Sequence, residues 1–158
     1  TLFQFGLLGS LFAKHVYHIP SAKVGLLSIG EEEKKGNALT LAAHGLMKGT
    51  DKFNFIGNVE GRDLFADKVD VVVCDGFTGN VVLKALEAFH GLVAQRVKDP
   101  FLDRFDYEKY GGTPVLGIDG NVVIGHGISN AGTIKNMLLF TRQLVESKLN
   151  ERIREAFQ

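Results

Sequence analysis

Residues Val69 to Lys84 read VDVVVCDGFTGNVVLK, which is the most informative stretch of the chain. A run of β-branched residues ends at Cys74 and Asp75, and apolar residues at helical spacing follow Asn80. This order predicts a buried strand, a short glycine loop and a helix. Because a helix N-terminus presents free N–H groups and the positive end of its dipole, the stretch also predicts a site for an anion.

The rest of the chain alternates between strand-like and helix-like patterns. The patterns predict strands over 24–29, 53–57 and 69–74, helices over 2–17, 37–48, 79–97 and 130–154, and a hairpin of 115–118 and 122–124 around Asp119-Gly120. Strands separated by helices indicate βαβ units. The sequence therefore predicts an α/β fold with a mostly parallel sheet and an antiparallel hairpin near one edge.

Composition narrows the class of protein. The 158 residues predict a single α/β domain over 1–158, and we expect this chain, which begins at Thr1, to be one segment of a longer protein. The 18 basic and 18 acidic residues balance, which gives no support to a nucleic-acid partner. The only cysteine, Cys74, excludes an intrachain disulfide and fits a reducing cytoplasm. No apolar run reaches the roughly 18 residues of a membrane-spanning helix.

Four predicted loops follow a strand, and all of them combine glycine with polar residues: 30–33, 57–63, 75–80 and 125–130. Parallel α/β sheets bind ligands outside the carboxyl ends of their strands. The four loops therefore predict a polar active site at that edge. No zinc-binding pattern and no nucleotide-cofactor pattern is present, since the loop DGFTGN does not match G-x-G-x-x-G. We accordingly expect no metal and no cofactor.

The loop at 75–80 supplies the first candidate residues. Gly76, Thr78, Gly79 and Asn80 offer backbone and side-chain donors to a phosphate, and an ordinary turn capped by Thr78 is the alternative. Asp75 either orients a donor or binds a substrate amide, unless its carboxylate caps the helix. We also include Lys84 of the following helix among the phosphate-binding candidates.

The loops after the first two strands add charged candidates. Asn58, Glu60 and Arg62 form a polar turn in which Arg62 either binds phosphate with both nitrogens or pairs with Asp63 or Glu60 at the surface. The run 31–33 of three glutamates is most simply an acidic first turn of a helix, and Lys34 or Lys35 attracts phosphate or an acidic partner.

His126 is the best general acid or base, because it lies between two glycines at a strand end; the alternative is a structural imidazole bonded to a loop carbonyl. Ser129 and Asn130 either cap the last helix or contact the ligand. Cys74 ends an apolar strand, where cysteine usually packs as a small hydrophobe, so we do not expect a cysteine nucleophile.

Five motifs in this order carry a family resemblance: VGLLSIGEEEKKGN, NFIGNVEGRD, VDVVVCDGFTGNVVLK, YGG-P-LG and HG-SNA-IKN. Together they resemble the C-terminal half of the PlsX family, the phosphate acyltransferases of bacterial phospholipid synthesis. The resemblance implies transfer of a fatty acyl group from acyl carrier protein to inorganic phosphate, giving acyl phosphate. It also implies a Rossmann-like α/β/α sandwich, a homodimer and a cytoplasmic protein at the inner face of the membrane.

Two departures from the family qualify these expectations. The N-terminal half of the family is absent from this chain, so the isolated chain is expected to be incomplete and inactive. The segment 98–110 is shorter than the apolar helical hairpin that the family is thought to place on the membrane, which weakens the expectation of peripheral membrane contact. A non-catalytic dimerisation or carrier-docking fragment is therefore the main alternative, and a nicotinamide-dependent dehydrogenase is a more distant one.

Overall fold

The computed structural model describes all 158 residues, except that the side chains of Asp103 and Tyr107 are not described. The chain divides into two compact units, one of Thr1–Asp75 with Glu151–Gln158 and the other of Gly76–Asn150. Among the described residues, no helix combines the length and the apolar character needed to cross a lipid bilayer.

The first unit is built around a three-stranded parallel sheet. Its elements are α1 (Leu2–Val16), β1 (Lys23–Leu27), α2 (Ala38–Met47), β2 (Asn54–Val59), a short 3-10 helix (Gly61–Phe65) and β3 (Val71–Val73). The strand order is β2-β1-β3, so β1 pairs in parallel with both neighbours. The central position of β1 explains why Val24 and Leu26 are fully buried.

The core of this unit lies between the sheet and the first two helices. Val24 and Leu26 of β1 lie in one cluster with Leu7 of α1 and with Ala43 and Met47 of α2. Residues two apart on a strand point to the same face, so α1 and α2 cover the face that Val24 and Leu26 share. Gly9 allows α1 to approach closely, because a Cβ there would lie 2.5 Å from Cγ1 of Val71 in β3.

The second unit combines helices with a two-stranded sheet. Its elements are α3 (Gly76–Val93), a second 3-10 helix (Leu102–Phe105), α4 (Tyr107–Tyr110), β4 (Gly112–Val115), β5 (Val122–Gly125) and α5 (Ala131–Glu146). The strands β4 and β5 pair antiparallel, from Gly112 opposite Gly125 to Val115 opposite Val122. The last helix, α6 (Leu149–Ala156), begins in this unit and ends in the first.

The predicted α/β class with its parallel sheet is confirmed, and the antiparallel hairpin is present. The hairpin differs from the expectation in forming a sheet of its own instead of lying near the edge of the parallel sheet. Its first strand begins at Gly112, before the predicted start at Val115, and includes Pro114. A two-stranded ribbon tolerates this proline because each strand has one unpaired edge.

The prediction of a single helix over 130–154 is wrong, because the helix ends at Glu146 in α5 and a new helix, α6, begins at Leu149. Ser147 turns its hydroxyl back to donate to the carbonyl oxygen of Leu144 over 2.7 Å. Lys148 then adopts a left-handed backbone conformation with φ of 54°. A left-handed residue ends a helix because it turns the backbone out of the helical path.

Candidate active site

Asn58 occupies the carboxyl end of β2 in the first unit, and its side chain joins two loops. It is 4% exposed. Its Nδ2 donates to the carbonyl oxygen of Glu32, in the loop after β1, over 2.9 Å. Among the described residues Oδ1 of Asn58 has no hydrogen-bond partner. Since buried polar atoms are nearly always paired, this oxygen is a candidate acceptor for a donor on a ligand.

Glu60, Arg62 and Asp63 follow directly and form ion pairs. Arg62 Nη2 lies 2.7 Å from Oε2 of Glu60 and 3.9 Å from Oε1 of Glu31. The pair with Glu60 is one of the alternatives left open by the sequence, and it leaves the Arg62 side chain 73% exposed. A phosphate at Nη2 of Arg62 therefore competes with the Glu60 carboxylate.

Asp63 is the anchor of this turn. Its Oδ2 accepts the backbone N–H of Glu60 over 2.8 Å and lies 3.2 Å from Nζ of Lys68. The bond from the Glu60 N–H, with a further contribution from Lys68, holds the pKa of Asp63 below its usual value. The hydrogen bond to Glu31 raises the pKa of the Lys68 ammonium, and the bond to Asp63 adds to this effect.

The interpretation of the three glutamates as an acidic first turn is wrong. The helix α2 begins at Ala38, and its first turn contains no acidic residue. Glu31 instead pairs with Lys68 over 2.7 Å, and Glu33 pairs with Lys48 over 2.7 Å. The N-terminus of α2 is capped by Asn37, whose Oδ1 accepts the backbone N–H of Thr40.

Most of the loop predicted over 75–80 is helical instead, because α3 begins at Gly76. Gly76, Thr78 and Gly79 therefore lie in its first turn, and only Cys74 and Asp75 connect it to the strand. The first-turn N–H groups of a helix have no partner within the helix. The anion-binding capacity predicted for this stretch therefore rests on the helix itself.

Cys74 and Asp75 are both partly buried. Burial raises the pKa of the Cys74 thiol, and the neighbouring Asp75 carboxylate raises it further. The thiol therefore stays protonated at neutral pH, which disfavours a cysteine nucleophile because the thiolate is the reactive form.

A pocket of about 490 Å³ lies in the second unit and contains three of the predicted residues, Asn80, Lys84 and His126. Its other polar side chains are Glu87, Arg104, Tyr110 and Thr113, and its apolar side chains are Leu83, Leu86, Phe105 and Ile124. The pocket lining thus combines amide, ammonium and imidazole groups with apolar side chains. This combination suits a ligand with an anionic or polar head and an apolar chain.

His126 follows β5, and both of its ring nitrogens face a defined group. The backbone N–H of Ile128 donates to Nδ1 over 3.4 Å. Nε2 lies 3.9 Å from Oε2 of Glu87. Because Nδ1 accepts a hydrogen bond, the neutral imidazole carries its hydrogen on Nε2. His126 therefore presents a donor to Glu87 and the pocket.

Ser129 and Asn130 support the loop and the start of α5. The Ser129 hydroxyl donates to the carbonyl oxygen of His126 over 2.6 Å. Asn130 is the N-cap of α5, and its Oδ1 accepts the backbone N–H of Thr133 over 2.9 Å. The capping role predicted for this pair is therefore confirmed at Asn130.

Sequence reasoning missed Glu87, Arg104, Tyr110 and Thr113 in the pocket. A signal existed only for Glu87, which is three residues after Lys84 and so on the same face of a helix. Within the described part of the chain, no three histidine, cysteine, aspartate or glutamate side chains are grouped closely enough to hold a metal ion.

Comparison with known proteins places the chain in a family. A family model described as "Fatty acid synthesis protein" matches residues 1–152. The phosphate acyltransferase of Pelotomaculum thermopropionicum is 45% identical over 177 aligned residues, which cover 99% of this chain and 52% of that protein. The phosphate acyltransferase of Nitratidesulfovibrio vulgaris is 43% identical, with 98% and 51% covered. The chain thus spans about half the length of the curated relatives it matches. It belongs to the PlsX family of fatty acid synthesis proteins.

Proposed function

We propose that the protein containing this chain transfers a fatty acyl group from acyl carrier protein to inorganic phosphate. The observation that carries the proposal is the pocket whose lining combines Asn80, Lys84 and His126 with apolar side chains. Such a pocket matches a reaction that joins an apolar acyl chain to a phosphate. The relatives are named phosphate acyltransferases, which supports the same reaction.

The phosphate is assigned to the start of α3. Backbone N–H groups of Gly76, Thr78 and Gly79 lie in the first turn, and Lys84 follows on the same helix. A helix N-terminus and an ammonium both stabilise an anion, and neither needs a metal ion to do so. The apolar side chains of Leu86 and Phe105 line the pocket, and the acyl chain is assigned to them.

The reaction needs positioning and donors more than a protein nucleophile. A phosphate oxygen attacks the thioester carbonyl carbon, a C–O bond forms and the C–S bond breaks. The thiolate leaves with the electron pair and takes up the proton that phosphate gives up, so the products are acyl phosphate and the free carrier thiol. Asn80 donates a hydrogen bond to the oxyanion that develops on the carbonyl oxygen, and Nε2–H of His126 donates a hydrogen bond to the departing sulfur while keeping its own proton.

Residues of the first unit are proposed to bind substrate. Asn58 offers its Oδ1, which has no partner among the described residues, as an acceptor, while Asp75 is assigned to a substrate amide. Arg62 is paired with Glu60, and we assign it to a phosphate that replaces the Glu60 carboxylate at the guanidinium. In the second unit, Ser129 and Asn130 hold the His126 loop and the N-terminus of α5.

The proposed partners are acyl carrier protein, inorganic phosphate and a second copy of the complete protein. The proposed location is the cytoplasm. Peripheral contact with the inner face of the membrane is less favoured, because the 98–110 segment is short.

A non-catalytic assembly or carrier-docking role is the second candidate function. It is favoured by α3, in which no described side chain is buried and in which Phe77, Phe89 and Leu92 are exposed.

The test is an assay of the complete protein with long-chain acyl carrier protein and phosphate. We expect release of carrier thiol that depends on phosphate. Asn80→Ala and His126→Ala are each expected to lower kcat by about 100-fold or more. Asn121→Ala, in the exposed turn of the hairpin, is the matched control and should retain activity. Wild-type protein that folds but releases no thiol would contradict the proposal, and full activity in both pocket variants would favour the assembly role.

A further inference from the structure

Glu87 lies close to Lys84 and His126, the two pocket residues with titratable side chains that the sequence analysis named as candidates. A single atom, its Oε2, lies 2.7 Å from Nζ of Lys84 and 3.9 Å from Nε2 of His126. Lys84 and Glu87 belong to α3, whereas His126 follows β5. The carboxylate therefore links a helix to the end of a strand at the pocket wall. We propose that Glu87 is a positioning residue, which holds Lys84 and the Nε2–H edge of His126 in the orientation that the reaction needs.

The orientation of the imidazole supports this assignment. The backbone N–H of Ile128 donates to Nδ1, which leaves the hydrogen of the neutral ring on Nε2. That hydrogen is on the edge of the ring that faces Oε2 of Glu87. At 3.9 Å the pair is too far apart for a hydrogen bond, so the carboxylate acts by electrostatic attraction on the N–H dipole. Catalytic contacts of this kind shorten when substrate binds.

The exposure of the three side chains argues against a purely structural role. The side chains of Lys84, Glu87 and His126 are 57%, 34% and 32% exposed. An exposed ion pair three residues apart on a helix contributes little to folding, because water screens it and the long side chains lose entropy. Removal of the Glu87 charge should therefore leave the fold intact.

The charge of Glu87 also sets how the pocket receives an anion. While Lys84 is paired with Glu87, the ammonium is partly neutralised and the carboxylate repels an incoming phosphate. The expected consequence is a split in the kinetic constants. Replacing Glu87 by glutamine frees Lys84 for phosphate, which lowers KM, but releases the orientation of both donors, which lowers kcat.

The experiment uses the complete protein with Glu87→Gln, and with Glu146→Gln as the matched control. Glu146 is an exposed glutamate of α5 that pairs with Arg142 over 3.7 Å and lies outside the pocket lining. We expect Glu87→Gln to lower kcat by about tenfold or more and to lower the KM for phosphate, at an unchanged melting temperature. We expect the control to match the wild type in all three quantities.

A second readout does not depend on turnover. Histidine ring nitrogens, including those of the five histidines in this chain, are observable by ¹⁵N NMR, and His126→Ala identifies the His126 signals. We expect the His126 Nε2 signal to move in Glu87→Gln and to stay in place in Glu146→Gln. An unmoved signal overturns the positioning role, and so does wild-type kcat and KM in Glu87→Gln.

The kinetic arm rests on the proposed acyl transfer, and the two ideas fail in different ways. A wild-type protein without phosphate-dependent thiol release would remove the proposed function, while the NMR arm would still report on Glu87. An active wild type with an unaffected Glu87→Gln variant would remove only the positioning role.

Discussion

Nδ2 of Asn58 donates to the carbonyl oxygen of Glu32 over 2.9 Å and so ties the end of β2 to the loop after β1. The backbone supports the same junction, since the N–H of Ser28 donates to the carbonyl oxygen of Val59 over 2.9 Å. Two loops that are far apart in sequence are thus fixed side by side. The buried amide does this while keeping Oδ1 unpaired among the described residues, a cost that a purely structural residue would not need to carry.

Asn58→Asp is expected to destabilise the protein by about 3 kcal/mol or more, because it buries a carboxylate and removes the donor to Glu32. Urea unfolding at neutral pH measures the effect. Asn54→Asp is the matched control: Asn54 begins the same strand, but it is exposed, and its Nδ2 makes a longer bond of 3.4 Å to the carbonyl oxygen of Ser21. Equal losses in the two variants would contradict the interpretation of Asn58.

Asp63 is expected to make stability depend on pH in the acid range. The N–H of Glu60, assisted by Lys68, lowers the pKa of Asp63 in the folded protein. The stabilisation is therefore complete above about pH 4, the pKa of an unfolded aspartate, and disappears as the pH falls through the lower folded value. Asp63→Asn should unfold at lower urea concentration than the wild type at about pH 7, and the difference should shrink below about pH 4. A difference that stays constant down to acid pH would show that the Asp63 charge is not responsible. Asp67→Asn is the control, because Asp67 lies outside the ion pairs formed by Glu31, Glu60, Arg62, Asp63 and Lys68.

The sequence predicted what local patterns determine. The β-branched run at 71–73 forms a strand, and Asn130 caps the helix that follows it. Caps and hydrophobic periodicity act over a few residues, so both can be identified without the fold. The glycines at 76 and 79 predicted a loop, yet both lie in the first turn of α3. Glycine is less unfavourable at a helix end than in its interior, and the packed structure decides where the first turn begins.

The features that the sequence did not predict depend on contacts between distant residues. Glu87 was an unremarkable helix residue until the end of β5 placed His126 near its carboxylate. Likewise, Lys68 pairs with Glu31 from a different loop of the first unit. The sequence contains many lysines and glutamates, so it does not show which of them pair. The break at Lys148 lacks the glycine that usually occupies a left-handed position, so the sequence contains no signal for it.

Gly111 lines the pocket and is expected to tolerate no side chain. Its φ is +78°, and a Cβ there would overlap the backbone nitrogen of Met137 in α5. Gly111→Ala therefore combines left-handed strain with a clash against helix backbone, which cannot move as a side-chain tip can. We expect a loss of about 3 kcal/mol or more in the free energy of unfolding. Thermal unfolding checks this, with Gly120→Ala as the control, because a Cβ at Gly120 meets no atom within 4 Å. A stable Gly111→Ala variant would show that α4 and α5 pack less tightly than described.

Cys74 is expected to be dispensable for acyl transfer. Burial and the adjacent Asp75 raise the pKa of its thiol, so little thiolate is present at neutral pH. In the complete protein, Cys74→Ala should retain kcat within about twofold of the wild type, at a modest cost in stability from the lost packing. Intact-mass measurement during turnover should show no acyl adduct on the wild type. An acyl adduct that disappears in Cys74→Ala, together with lost activity, would instead identify a covalent thioester intermediate and would transfer the nucleophilic role from phosphate to this thiol.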